Sequence, residues 1–141
     1  MPIETAILLW VTGALVGSMV FFGVVVAPKV FQALPPEHAG IFLRALFPRY
    51  YLWGLAIAGA STAIALWASR PVFFACAAVL ALFAYARQLL MPKINAARDA
   101  QLRGEQDAIR RFDRLHLRSV LINGLQLLVL LAAAALLIWP R

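Results

Sequence analysis

Charge is scarce in this chain. Only 13% of its 141 residues are Asp, Glu, Lys or Arg, and 64% are hydrophobic. An average soluble domain is about half apolar and about a quarter charged. A water-soluble fold of this size could not hide that much apolar surface, and a mean hydropathy of +0.85 excludes a disordered tail as well. Cysteine is almost missing too. Cys76 stands alone, which excludes an intrachain disulfide and a thiolate metal cluster. In the run Phe73-Phe74-Ala75-Cys76-Ala77-Ala78 it reads as a small buried hydrophobe. Histidine is limited to His38 and His116, and no pairing of these with Met19, Met91 or Cys76 has metal-ligand spacing. A bis-histidine haem would need histidines inside membrane spans. There is no Gly-rich phosphate loop and no Ser/His/Asp set. No catalytic constellation, metal site or cofactor is therefore expected, and an enzyme is the least favoured class.

What is present is apolar length. Four uncharged or nearly uncharged stretches, 5–27, 50–69, 71–91 and 119–139, approach or exceed the 20 or so residues of a helical bilayer crossing. The third is uncharged only to Ala86 and runs on to Met91 if Arg87 snorkels to the interface. The first has Glu4 where a signal peptide has its basic region, so it is expected to be retained. The expected fold is an all-α membrane protein, a four-transmembrane-helix bundle forming one domain over 1–141. No span contains Asp or Glu, which argues against a carboxylate-driven pump.

Net charge is +7, and the basic residues cluster between spans. Connections 28–49 and 92–118, with the end of span three, carry eleven of them, against Arg70 and Arg141 elsewhere. That asymmetry predicts a plasma (inner) membrane protein with both long connections cytoplasmic and both termini outside. It also explains the basic charge without nucleic acid. Trp10, Trp53, Trp67 and Trp139 fall near span ends or in outer turns, as an interfacial belt would.

Both connections read as helical. In 92–118, Asp99/Arg103 and Asp107/Arg110 have helical pair spacing, and Gly104 is the one breaker, predicting a helical hairpin that turns there. In 28–49, Pro35-Pro36 marks a turn and a helix start, and Pro48 is expected to interrupt. This shorter segment reads equally as a hairpin or as a helix lying flat in the interface. Ala27-Pro28-Lys29-Val30 returns as Met91-Pro92-Lys93-Ile94, and Phe47 and Arg49 return as Phe112 and Arg114. The echo suggests two parallel hairpin repeats.

The clearest polar pattern is His116, Ser119, Asn123 and Gln126, which share one face of span four. It reads either as a ligand-binding or translocation surface or as interhelical hydrogen-bonded glue. If a ligand site exists, Tyr50, Tyr85 and Gln88 fall at comparable depth, and Arg49, Arg87 and Arg114 near the rim favour an anionic group. Gly13 and Gly17 form a GxxxG, and Gly54, Ala58 and Ser61 a small-residue stripe. Such faces pack helices closely, within the bundle or between subunits of a homo-oligomer.

The segments Gly17-Ser18-Met19-Val20-Phe21-Phe22-Gly23, Ala27-Pro28-Lys29-Val30-Phe31, Leu46-Phe47-Pro48-Arg49-Tyr50-Tyr51, Pro92-Lys93-Ile94-Asn95 with Arg98-Asp99, and Phe112-Asp113-Arg114-Leu115-His116 with Ser119 and Asn123 carry a resemblance. Together they resemble the transmembrane protein 205-like family over nearly the whole chain. That resemblance implies a four-span membrane protein of mostly unassigned biochemistry, whose eukaryotic members are linked to platinum-drug resistance and vesicle traffic. In architecture the chain is more distantly similar to bacterial copper-resistance membrane proteins and to four-span protoporphyrinogen oxidases. Those oxidases have a first-span histidine that this chain lacks. Two functions remain: handling or transport of a small ligand through the polar face of span four, or a structural or interaction role. In the second, the basic hairpin binds anionic phospholipid headgroups or a protein partner.

Overall fold

Each apolar run grows into a helix of 31 to 33 residues, about ten more than a bilayer crossing needs. The computed structural model describes residues 1–139. Helix α1 spans Ile3–Ala33, α2 Pro36–Ala68, α3 Arg70–Leu102 and α4 Ala108–Ile138. No strand occurs among the described residues. The expected all-α four-helix membrane architecture is therefore present, and the protein is a multi-pass membrane protein whose outer faces meet lipid. Large side chains such as Trp10, Phe74, Leu128 and Ile138 point outward, as a lipid-facing surface allows. Arg141, one of the residues weighed for orientation, lies outside the described residues.

The inward faces follow alternating three- and four-residue steps. They are Thr5, Leu8, Thr12, Leu15 and Met19 on α1, and Tyr51, Gly54, Ala58, Ser61 and Ala65 on α2. On α3 the series is Val72, Cys76, Val79, Phe83, Ala86 and Leu90. A 3.5-residue repeat keeps one stripe facing its neighbours along the full length of a left-handed bundle. The small stripe of α2 lets α1 and α3 approach it closely. Gly13 and Gly17 take no part in this, since nothing lies within 4 Å of where their side chains would be. Their GxxxG faces outward.

Local chemistry sets the three turns. Leu34 is pushed to an extended conformation by Pro35 behind it, and Pro36 then starts α2. At the opposite end a single extended residue, Ser69, links α2 to α3. The α3–α4 turn closes on Gly104, at φ +81°. There the Gly104 N–H bonds the Gln101 carbonyl at 3.0 Å and the Glu105 N–H bonds the Ala100 carbonyl at 3.2 Å. This paired pattern ends a helix with a left-handed residue, a conformation glycine adopts without penalty.

Prolines explain the helix irregularities. Pro28 has no N–H for the carbonyl four residues back, and its ring crowds that carbonyl. The chain responds by widening the preceding turn, so that the Ala27 N–H bonds the Phe22 carbonyl five residues back. Before Pro92, the Met91 N–H likewise bonds the Ala86 carbonyl. The π turns Phe22–Val26 and Ala86–Leu90 stand 64 residues apart, the offset of the sequence echo. The same irregularity at the same place in both hairpins supports the parallel repeat.

Two local expectations are corrected. Pro48 does not interrupt: α2 continues through it, so the first connection is a helical hairpin rather than a flat interfacial helix. The residues beside it, Phe47, Tyr50 and Tyr51, are packed in the core, which offsets the local loss. Arg49 Nη1 also donates to the Ala45 carbonyl at 3.2 Å, within the disturbed turn. Asp99 does not pair with Arg103 on its own helix. It accepts from Arg44 of α2 at 2.8 Å, because Arg44 also reaches the Asn95 carbonyl at 3.2 Å and is anchored twice. Arg103 pairs with Glu105 at 2.8 Å instead.

Candidate functional site

The polar residues of α4 meet aromatic hydroxyls of α2. Asn123 Oδ1 accepts from the Tyr50 hydroxyl at 3.4 Å, while its Nδ2 donates to the Ser119 carbonyl at 3.0 Å. The Tyr51 hydroxyl and Ser119 Oγ share a hydrogen bond of 3.3 Å. Gln126 is fully buried, and its Nε2 donates to the Val79 carbonyl of α3 at 3.4 Å. These contacts occupy the face that helical spacing assembled. Tyr51 was not singled out from sequence, although it heads the small-residue stripe that continues through Gly54, Ala58 and Ser61.

Aromatic rings build the floor of this junction. The Phe22 ring, in the π turn of α1, lies 4.6 Å from Tyr50, and the Phe83 ring of α3 lies 6.4 Å from Tyr51. Gly54 makes room for Phe83, because a methyl group there would collide with the ring. Widening the α1 turn before Pro28 places Phe22 in this cluster.

The other candidates form no hydrogen bond with this junction. His116 is exposed and stacks on Phe112, rings parallel within 3° and centroids 5.8 Å apart. The Arg98 guanidinium lies 5.6 Å from the centre of the same Phe112 ring, a cation–π arrangement. Arg98 also rests against Gly40, so one side chain joins α2, α3 and α4. Tyr85 is half-buried and Gln88 exposed, and neither hydrogen-bonds to Asn123. Arg49 is exposed and bonded to its own helix. Arg87, in the second π turn, has its Nε buried without a partner among the described residues. Arg114 faces the cleft described next.

Two open clefts lie at the end of the bundle that holds the Gly104 turn. One cleft of about 590 Å³ runs between the far ends of α3 and α4. Lys93, Arg103, Arg111, Arg114 and Arg118 line it over a floor of Ala96, Ala97 and Ala100. Arg103 and Arg111 share Glu105, at 2.8 and 3.5 Å. The hydrogen bond from Arg103 holds the Glu105 carboxyl below its ordinary range. Lys93, Arg114 and Arg118 have no carboxylate partner among the described residues. The arrangement is a small-residue trough under uncompensated cations, suited to holding an oxyanion by charge-assisted hydrogen bonds. No three His, Cys, Asp or Glu side chains converge among the described residues.

Fold and surface together define a four-helix integral membrane protein with a hydrogen-bonded core and a basic cleft at one end. The chain belongs to the family described as domain of unknown function (DUF4149), whose profile matches residues 10–103. That stretch covers most of α1 and all of α2 and α3. Membership of this family does not establish the transmembrane protein 205-like kinship that the motifs suggest. No curated protein and no solved structure matches the chain.

Proposed function

We propose that this protein is an interaction protein of the membrane, which binds anionic phospholipid headgroups through its basic end. One observation carries the reading: Lys93, Arg114 and Arg118, without a carboxylate partner among the described residues, share a cleft between the far ends of α3 and α4. In this reading that end lies in the cytoplasm and both termini lie on the opposite side, as the eleven basic residues there favour. Each basic side chain near an anionic surface contributes about 1 kcal/mol. Kinship with transmembrane protein 205-like proteins belongs to the same reading, because the Pro92-Lys93, Arg98-Asp99 and Phe112–His116 segments gather at this end.

The test is thermal unfolding of the detergent-purified protein with added phosphatidylglycerol or phosphatidylcholine. A ligand that binds only the folded state raises the midpoint by mass action. Phosphatidylglycerol should raise it, high salt should weaken the rise, and the combined Lys93→Gln, Arg114→Gln and Arg118→Gln variant should lose it. Equal shifts with both lipids would overturn the reading.

Ligand handling through the polar face of α4 has support of its own. Thr12 Oγ1, Ser61 Oγ and Gln126 Oε1 are buried with no partner among the described residues, an arrangement that costs free energy. Asn123→Leu separates the two readings. A well-folded variant that loses a cellular phenotype would favour ligand handling, and one that keeps every phenotype would remove it.

A further inference from the structure

The basic cleft does not end at its rim. Arg114 and Arg118 also head a second, shallower furrow of about 300 Å³, walled by Leu117, Leu121, Ile122 and Leu125. From Arg118 to Leu125 the helix rises about 10 Å, along the start of the apolar run of α4. A cationic trough thus opens into an apolar gutter through two shared arginines.

We propose that this composite groove seats one anionic glycerophospholipid in a fixed register. Lys93, Arg114 and Arg118 hold the phosphate, and one acyl chain lies along Leu121, Ile122 and Leu125. The proposal rests on the reading of this end as an anionic-lipid surface and adds a defined, stoichiometric site to it. Three cations around one trough repel each other unless an anion joins them. Guanidinium groups match the oxygens of a phosphate in paired hydrogen bonds. The alanine floor leaves the headgroup room to sink between the helices. A free phosphate would satisfy the trough and leave the furrow unused. The furrow gains little hydrophobic energy, since lipid tails are as apolar as leucine. Its contribution is alignment, holding a chain directly below the bound headgroup.

Native mass spectrometry of the full chain in mild detergent tests this, using palmitoyl-oleoyl phosphatidylglycerol, the matching phosphatidylcholine and glycerol phosphate as probes. One phosphatidylglycerol should be retained per chain, about tenfold over phosphatidylcholine, as expected for charge-assisted pairing. Arg114→Gln with Arg118→Gln should remove that preference. Leu121→Trp should lower retention about fivefold by filling the furrow. Leu121 is 63% exposed, so this change leaves the core intact. Leu125→Trp repeats the measurement at a second position. Arg110→Gln, outside both cavities, should change nothing. Displacement of the lipid by excess glycerol phosphate, or full retention in both tryptophan variants, would overturn the lipid seat and leave the anionic surface standing. Loss of retention in Arg110→Gln would mean diffuse attraction and would also overturn the seat. No preference for phosphatidylglycerol in the native chain would overturn both.

Discussion

Gly54 on α2 lies so close beneath the Phe83 ring on α3 that no side chain fits between them. Phe83 is fully buried and central to the cluster that includes Leu15, Tyr51 and Leu130. Gly54→Ala should therefore cost about 1–3 kcal/mol by overpacking. Gly13→Ala and Gly17→Ala meet open space and should leave monomer stability unchanged or slightly raised. Unfolding of the detergent-purified variants checks the contrast. A Gly54→Ala protein as stable as the native one would show that α2 and α3 are not in this contact.

The hydroxyl–amide links between α2 and α4 should be energetically modest. Such bonds average about 0.6 kcal/mol in membrane-protein double-mutant cycles. A cycle over Tyr50→Phe and Asn123→Leu, and another over Tyr51→Phe and Ser119→Ala, should each return coupling of that order. Zero coupling in both would mean that the 3.4 and 3.3 Å contacts hold nothing together.

How much of this was legible in the sequence depends on the range of the interaction. Span number followed from apolar run length alone, and the Gly104 turn from a breaker inside a helical pattern, because both are local properties of the chain. Pro48 misled because its helical neighbours Phe47, Tyr50 and Tyr51 are held by tertiary packing, which outweighs a local proline cost. Asp99 misled for a related reason: its partner Arg44 is 55 residues away, and local spacing offered the nearer Arg103. The polar face of α4 was visible as spacing, but its aromatic partners required the bundle. The cleft joining Lys93 to Arg114 and Arg118 required the hairpin to be folded, since no periodicity within either helix brings them together.

Acid should loosen the contact between the two hairpins. The hydrogen bond from Arg44 holds the Asp99 carboxyl below its ordinary range, against a smaller opposing effect of partial desolvation. The folded value is lower than the unfolded one, so the link is fully present above the usual carboxylate range. It is lost as pH falls through the lowered value. Hydrogen exchange over 92–102, corrected for intrinsic rates, should accelerate from about pH 6 to about pH 3. Asp99→Asn should exchange fast already at the upper pH. Glu105 titrates in the same direction through Arg103, and the Asp99→Asn comparison isolates the Arg44 link. Protection that stays constant across the range would show that the ion pair does not tie α2 to α3.

Orientation is decided by where the basic end resides. Gln106 sits in the exposed α3–α4 turn and tolerates substitution better than Gly104, whose positive φ strains any other residue. In a Cys76→Ala background, Gln106→Cys should resist an impermeant thiol reagent in intact cells and react once the cells are permeabilised. Arg141→Cys should react in intact cells. Basic residues resist translocation, and eleven of them flank the turn end, against Arg70 in the α2–α3 turn and Arg141 at the C-terminus. Equal numbers at the two ends would favour neither orientation; this asymmetry favours a cytoplasmic turn end. Labelling of Gln106→Cys from outside would reverse the topology. It would also move Lys93, Arg114 and Arg118 away from the anionic cytoplasmic leaflet, removing the electrostatic basis of the headgroup reading.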